Sequence, residues 1–286
     1  MRTLIKHIPY PSRTQQIRLC ILPDTHLGNQ ACDEDELADF VQSVKDDEWA
    51  YWIGAGDYCE FISLRDKRFD AQSLPNWLTT ECRAKADGMA DPGLKRRPLA
   101  FLAAAQRDSF IERVRPIAPK CLGLLEGNHE RTMALYNEQD VYSPICEAMG
   151  ASAENPLALD MCGFLRLSFQ REPQKKKPDV WTYDIYLTHG WWNGQLMGNG
   201  VLNLERVFGW AVADCVIAGH DHKAKAFPLA RVYPRKNGET EQRDGWCVGA
   251  GTFLGKPRYM EQARPLTRGW IELIIEPDKR RVRILQ

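Results

Sequence analysis

Histidine is scarce in this chain, paired thiols are absent and neither sign of charge is in excess. Only six of the 286 residues are histidine. The nine cysteines are an odd number and no two stand in a Cys-x-x-Cys pair, which argues against a structural zinc knuckle. Lys+Arg 38 is matched by Asp+Glu 38, so no global field steers the chain towards nucleic acid or an anionic membrane, although a local basic patch is not excluded. No uncharged apolar run approaches the roughly 20 residues a membrane span needs. The opening residues Met1 to His7 lack the apolar stretch of a signal peptide. There is no internal repeat and no low-complexity tract. These absences point to a cytoplasmic protein.

What is present is ordinary in bulk. A length of 286 residues suits one large α/β domain or two smaller ones, with enough chain to bury a core unaided. A hydrophobic fraction of 44% and a charged fraction of 27% are those of a soluble globular protein. Cys20, Cys121 and Cys215 sit in short apolar runs and read as small core hydrophobes, which fits a reducing compartment.

The patterning gives strands that end at polar loops. Ile17 to Leu22 alternates, then turns apolar, and stops at Pro23-Asp24. Asp33 to Trp49 follows as a helix, with Leu37, Phe40, Val41 and Val44 at helical spacing and acidic residues in the first turn. Ala50 to Ile53, Cys121 to Leu125, Tyr183 to Leu187 and Cys215 to Ala218 are further apolar strands, and Trp246 to Val248 is strand-like. Residues 61–115 hold Pro75, Pro92 and Pro98 and a helical run from Leu99 to Val114, an inserted helical element expected over the site. Gln170 to Pro178 and Arg231 to Gly245 read as exposed hairpin connections, and Trp270 to Leu285 as two strands joined at Pro277-Asp278.

Against this background five of the six histidines fall in four short stretches: Asp24-Thr25-His26, Gly127-Asn128-His129-Glu130, Thr188-His189-Gly190 and Gly219-His220-Asp221-His222. Gly56-Asp57 adds a carboxylate between the first two. Each stretch lies just past the carboxyl end of an apolar strand, where α/β sheets place their sites. Asp24, His26, Asp57, Asn128, His189, His220 and His222 are thus candidate metal ligands. Imidazole, carboxylate and amide oxygen suit a borderline-to-hard divalent cation, with Mn2+ favoured and Zn2+ or Fe2+ also fitting. Seven ligands suit two cations sharing a bridging carboxylate, a pair that clamps a phosphoryl group and makes hydroxide at neutral pH.

The ordered set Asp-x-His, Gly-Asp-x-x-Glu, Gly-Asn-His-Glu, His-Gly and Gly-His-x-His, over residues 24 to 222, resembles the calcineurin-like metallophosphoesterase superfamily. The resemblance implies an α/β fold of two packed mixed β-sheets flanked by helices in four layers, as a single domain over residues 1–286 with the helical insertion at about 61–115. It implies that Asp24, His26, Asp57 and His222 hold one metal. It assigns Asp57, Asn128, His189 and His220 to the second, with Asp57 bridging. It sets His129 apart as the catalytic residue, acting on the phosphoryl oxygens or protonating the leaving alkoxide. Glu130 or Glu126 would keep that histidine protonated. The activity expected is hydrolysis of a phosphate ester through a dinuclear centre, more a phosphodiesterase than not, of nuclease or nucleotide-directed kind. A phosphomonoesterase or pyrophosphate hydrolase of the same superfamily is the alternative, and a non-catalytic metal-binding scaffold is the alternative from another class.

Several residues stay open between two roles. Trp191-Trp192 is either a stacking platform for a base or sugar or packing beneath the site. Asp221 either faces away or orients a ligand histidine, and Glu60 is a supporting or solvent-facing residue rather than a ligand. His7 is an ordinary surface or strand residue. The basic groups Arg65-Lys67-Arg68, Lys95-Arg96-Arg97 and Lys175-Lys176-Lys177 read as solvated faces, the first two with a chance of meeting phosphates. Gly255 to Tyr259 is placed to return near the site.

Overall fold

Ile17, Leu19 and Ile21 face one way from their strand and Cys20 and Leu22 the other, and both faces are buried. A strand buried on both sides must lie inside a layered structure. The computed structural model describes residues 1–172, 179–192, 194, 196–260 and 268–285. In chain order its strands are β1 (Arg2–Tyr10), β2 (Ile17–Leu22), β3 (Ala50–Gly54), β4 (Cys121–Leu124), β5 (Cys162–Arg171), β6 (Val180–Thr188), β7 (Cys215–Ala218), β8 (Lys225–Pro234), β9 (Thr240–Gly249), β10 (Ile271–Glu276) and β11 (Arg281–Leu285). The helices are α1 (Glu34–Asp46), α2 (Asn76–Asp87), α3 (Pro92–Lys95), α4 (Leu102–Val114), α5 (Asn128–Asn137), α6 (Tyr142–Ala148) and α7 (Met197–Trp210).

The strands form two mixed sheets, one in the order β1-β5-β6-β7-β9-β8 and one in the order β11-β10-β2-β3-β4. Within the first, β6, β7 and β9 are mutually parallel; within the second, β2, β3 and β4 are. Leu19 and Ile21 of one sheet meet Ile185 and Ile217 of the other in the central core. On the far side of the five-stranded sheet, Trp52 and Leu22 pack with Leu37 and Phe40 of α1 and Phe110 and Val114 of α4. Val216 and Cys247 on the outer face of the six-stranded sheet pack against Leu204, Val207 and Phe208 of α7. The result is four layers: helix, sheet, sheet, helix.

The helix expected from Asp33 to Trp49 is α1, stopped earlier at Asp46. Its N-cap is Asp33, whose carboxylate accepts from Glu36 N at 3.1 Å. The helical run expected from Leu99 starts at Leu102, after a 3-10 turn over Pro98–Phe101. Of the inserted element, α4 docks in the outer layer beside α1, and α2 rides on it through Leu78, Cys82 and Ala105. Its amphipathic face had a sheet to cover, so it buttresses the loops from the flank. The connection expected over Arg231 to Gly245 is shorter, because β8 and β9 pair from Lys225↔Gly249 out to Pro234↔Thr240 and leave only residues 235–239 as the turn. Of the other hairpin, β5 and β6 pair as far as Gln170↔Val180, while Lys175-Lys176-Lys177 lies outside the described residues. The tail is β10 and β11 joined by a 3-10 turn at Pro277–Lys279. Among the described residues no helix is long and apolar enough to cross a membrane.

Candidate metal centre

Parallel strands aim their carboxyl ends the same way. The loops after β2, β3, β4, β6 and β7 therefore meet at one edge of the two-sheet seam. Asp24 and His26 follow β2, Asp57 follows β3, Asn128 and His129 open α5 after β4, His189 follows β6, and His220 and His222 follow β7. The first two loops are laced together: Thr25 N and His26 N both donate to Asp57 O, at 3.1 and 3.0 Å, and Glu60 N donates to Leu27 O. The loop after β9 closes the cluster, with Phe253 N and Thr252 Oγ1 donating to Asp24 O.

This convergence has a backbone cost. His26, Asp57, His220 and His222 all adopt positive φ, at 49°, 50°, 68° and 56°. Such a residue costs of order 1–3 kcal/mol and persists where its surroundings overdetermine it. Gly56 permits a close approach: at φ +95°, a Cβ there would lie 2.7 Å from His189 Nδ1 and 2.8 Å from Gly127 Cα.

Ring nitrogens and acceptors face one another across the cluster. His26 Nδ1 lies 3.0 Å from the Glu60 carboxylate and His189 Nδ1 lies 2.8 Å from Ala55 O, so each Nδ1 carries its proton and each neutral Nε2 presents a lone pair. The His26 lone pair faces His222 Nε2 at 3.1 Å. The His189 lone pair faces Asn128 Oδ1 at 3.0 Å and Asp57 Oδ2 at 3.3 Å. Asp57 Oδ2 is also 3.8 Å from His26 Nε2, which puts it between the two groups. Asp24 Oδ2 is 3.3 Å from His222 Nε2, while Asp24 Oδ1 is buried with no hydrogen-bond partner. Acceptors converging on acceptors in a buried site repel unless a positive charge sits among them. A proton answers in part: burial lowers the His189 pKa, but Asp57, Asp24 and the Ala55 carbonyl outweigh it and lift it to about 10. A divalent cation is the kind of charge that would satisfy the set. Two groups have ligand atoms within 4.8 Å of one another and share Asp57: Asp24, His26, Asp57 and His222, and Asp57, His189 and His220.

His129 stands beside these groups. Its backbone N–H donates to Asp57 Oδ1 at 2.9 Å and its Nδ1 bonds the Glu60 carbonyl, leaving Nε2 as the ring nitrogen free to address a ligand. Burial lowers its pKa, but Asp57, the Glu60 carboxylate and the Glu60 carbonyl outweigh this and hold it above the ordinary imidazole value. Glu60 therefore serves both histidines, His26 through its side chain and His129 through its backbone. It is buried, so the solvent-facing option is excluded, and His26, Glu60 and His129 make a third close group.

Glu130 contributes to the raised pKa of His129, as expected, and has a second job besides. Its carboxylate accepts from Gly127 N at 2.9 Å, Asp57 N at 3.0 Å and Tyr58 N at 2.8 Å, clamping the loops after β3 and β4 to each other. Burial and the Asp57 charge push its pKa up to about 7, while His129, His189 and hydrogen bonding pull the other way. Glu126 pairs instead with Arg131 at 3.4 Å. Removing Glu130 would orphan three buried donors. Glu130→Ala is expected to cost about 3 kcal/mol or more, lowering the melting temperature by roughly 6–12 °C. A melting temperature within about 2 °C of the parent would show that the clamp contributes nothing.

The remaining candidates separate cleanly. Trp192 is buried in the α7 layer, whereas Trp191, two residues past His189, is 67% exposed. Asp221 faces away from the imidazoles and pairs with buried Lys225. His7 is exposed on β1, Arg68 is paired with Asp66 at 2.8 Å, and Lys95-Arg96-Arg97 is exposed at the end of α3. Gly255 to Tyr259 does return, with Gly255 N on Ala31 O at 2.8 Å and Tyr259 beside Glu60. Sequence reasoning missed the Glu130 clamp and Thr252; the Glu at the third position of α5 resembles a capping acid and was the available signal. No family model and no curated protein matches the chain.

Proposed function

We propose that this chain is a metal-dependent phosphoesterase of calcineurin-like metallophosphoesterase type, acting on a phosphodiester. One observation carries the reading: the lone pairs of two histidines and an amide oxygen converge about Asp57 Oδ2, with a separately held histidine alongside. Asp24, His26, Asp57 and His222 would hold one divalent cation, and Asp57, Asn128, His189 and His220 a second, with Mn2+ the favoured ion. Bound there, such a pair supplies Lewis acidity towards a phosphoryl group and a nucleophile at neutral pH.

The chain's own residues do the rest. Glu60 and Ala55 fix the tautomers of His26 and His189, so their Nε2 atoms point inward without searching. His129, with Nδ1 tied to Glu60, carries its transferable proton on Nε2. As the bond from phosphorus to the leaving oxygen breaks, that proton goes to the leaving oxygen, and a water molecule gives up a proton to solvent as its oxygen makes the new bond to phosphorus. A scaffold that only bound metal would have no use for this histidine. Exposed Trp191 next to His189 supports a substrate with a second esterified group to stack.

With Mn2+ present, bis(para-nitrophenyl) phosphate is expected to turn over faster than para-nitrophenyl phosphate. Faster monoester turnover would overturn the diester preference. No turnover of either with manganese, zinc, iron, nickel or cobalt would leave the scaffold reading in its place.

A further inference from the structure

A groove of about 450 Å³ runs between α5, α4 and the segment after Glu60. Its floor is Phe61, Met133 and Ala103, all buried, and its rim carries Arg65, Tyr136 and Asn137. Met133, Tyr136 and Asn137 stand four, seven and eight residues after His129, on the helix face that His129 begins. A smaller cavity reaching Glu60 adjoins the groove, since both are lined by Ile62, Leu102 and Gln106. The groove therefore begins one helical turn beyond His129, at Met133, and runs along α5. Its size is that of a small-molecule subsite rather than a packing defect.

The rim chemistry narrows the occupant. Tyr136 is 78% exposed, a flat aromatic face offered to solvent at the groove edge. Arg65 makes no ion pair among the described residues, unlike its neighbour Arg68. Asn137 and Glu138 add amide and carboxylate groups able to meet the edge of a base. An apolar floor, an aromatic face and a free guanidinium together fit a planar heteroaromatic ring joined to an anionic group. We infer that this groove binds the leaving half of the diester, and that this half is a nucleotide whose base lies on Tyr136 and whose phosphate meets Arg65. The inference rests on the phosphodiesterase reading and on the role given there to His129.

Two measurements keep the two readings apart. The first compares the dinucleotide TpT with bis(para-nitrophenyl) phosphate, whose leaving group is too small to span the groove. In Tyr136→Ala, kcat/KM for TpT is expected to fall about tenfold relative to that for the aryl diester, the worth of one base–aromatic contact. Arg65→Ala should leave this ratio unchanged, because the nucleoside leaving TpT carries no phosphate, and should instead weaken the binding of thymidine monophosphate. Leu135→Ala, an exposed neighbour outside the groove, should leave both substrates as they were. Equal losses on both substrates, or no loss on TpT, overturn the subsite. The second measurement is equilibrium binding of thymidine monophosphate to the metal-free protein, which does not depend on turnover. Binding that weakens about tenfold in Tyr136→Ala supports the subsite even if catalysis fails. Absence of binding overturns it even if the aryl diester is hydrolysed.

Discussion

Asp57→Asn is expected to drop the metal content from two ions per chain to one or none, and to lower turnover about a thousandfold. The substitution is nearly isosteric. An asparagine oxygen can still accept the His129 backbone N–H, which Asp57 Oδ1 takes at 2.9 Å, so the start of α5 stays in place. What is lost is the negative charge of Oδ2 between His26 Nε2 and His189 Nε2, at 3.8 and 3.3 Å. Among the described residues Asp57 is the carboxylate common to both groups, Asp24 falling within 4.8 Å of the ligand atoms of the first group alone. Metal analysis of the purified variant against the parent reads the first effect directly. Two ions per chain surviving the change would contradict a bridging role, whatever happened to turnover.

His129→Ala is the complementary case: metal content is expected to persist while turnover falls by about 10²–10⁴. Both nitrogens of this ring lie outside the two groups that share Asp57, so removing it leaves the ligands of those two groups in place. A further signature separates proton donation from a merely structural role. A leaving group that needs no protonation, such as para-nitrophenolate, should lose less than an alkyl leaving group. Equal losses across leaving groups would make His129 a stabiliser of phosphoryl charge instead, and a variant stripped of metal would move it into the ligand set.

Much of this was legible in the sequence because the informative features are local. A strand end, a glycine and a polar triplet occupy a few consecutive residues, and Ile17 to Leu22 or Cys215 to Ala218 need no partner to be read. The unread parts depend on distant neighbours. β1 carries Pro9 and would pass for a loop, yet an edge strand tolerates a missing donor, and β1 pairs with β5 across the whole of its length. Glu130 follows His129 in the chain, which suggests a proton partner. Only the folded loops reveal three backbone donors competing for it. The adjacent tryptophans part company because neighbouring residues of an extended segment face opposite ways: Trp192 found the α7 layer and Trp191 did not. Periodicity likewise identifies the buried face of α4 without saying what buries it.

The position of β10 carries a consequence for how this chain comes into being. Its residues Ile271 to Ile275 pair with Ile21 to Ile17, so the strand that delivers Asp24 and His26 is flanked on one side by a segment that leaves the ribosome long after it. The closing contacts on Asp24, from Thr252 and Phe253, arrive hardly earlier. A nascent chain thus holds the first part of its candidate metal centre unfinished until β10 has emerged. Assembly is a late, long-range event, slow by the ordinary penalty for pairing distant segments. Until then the exposed flank of β2 is an open edge that a growing chain must keep from the wrong neighbour.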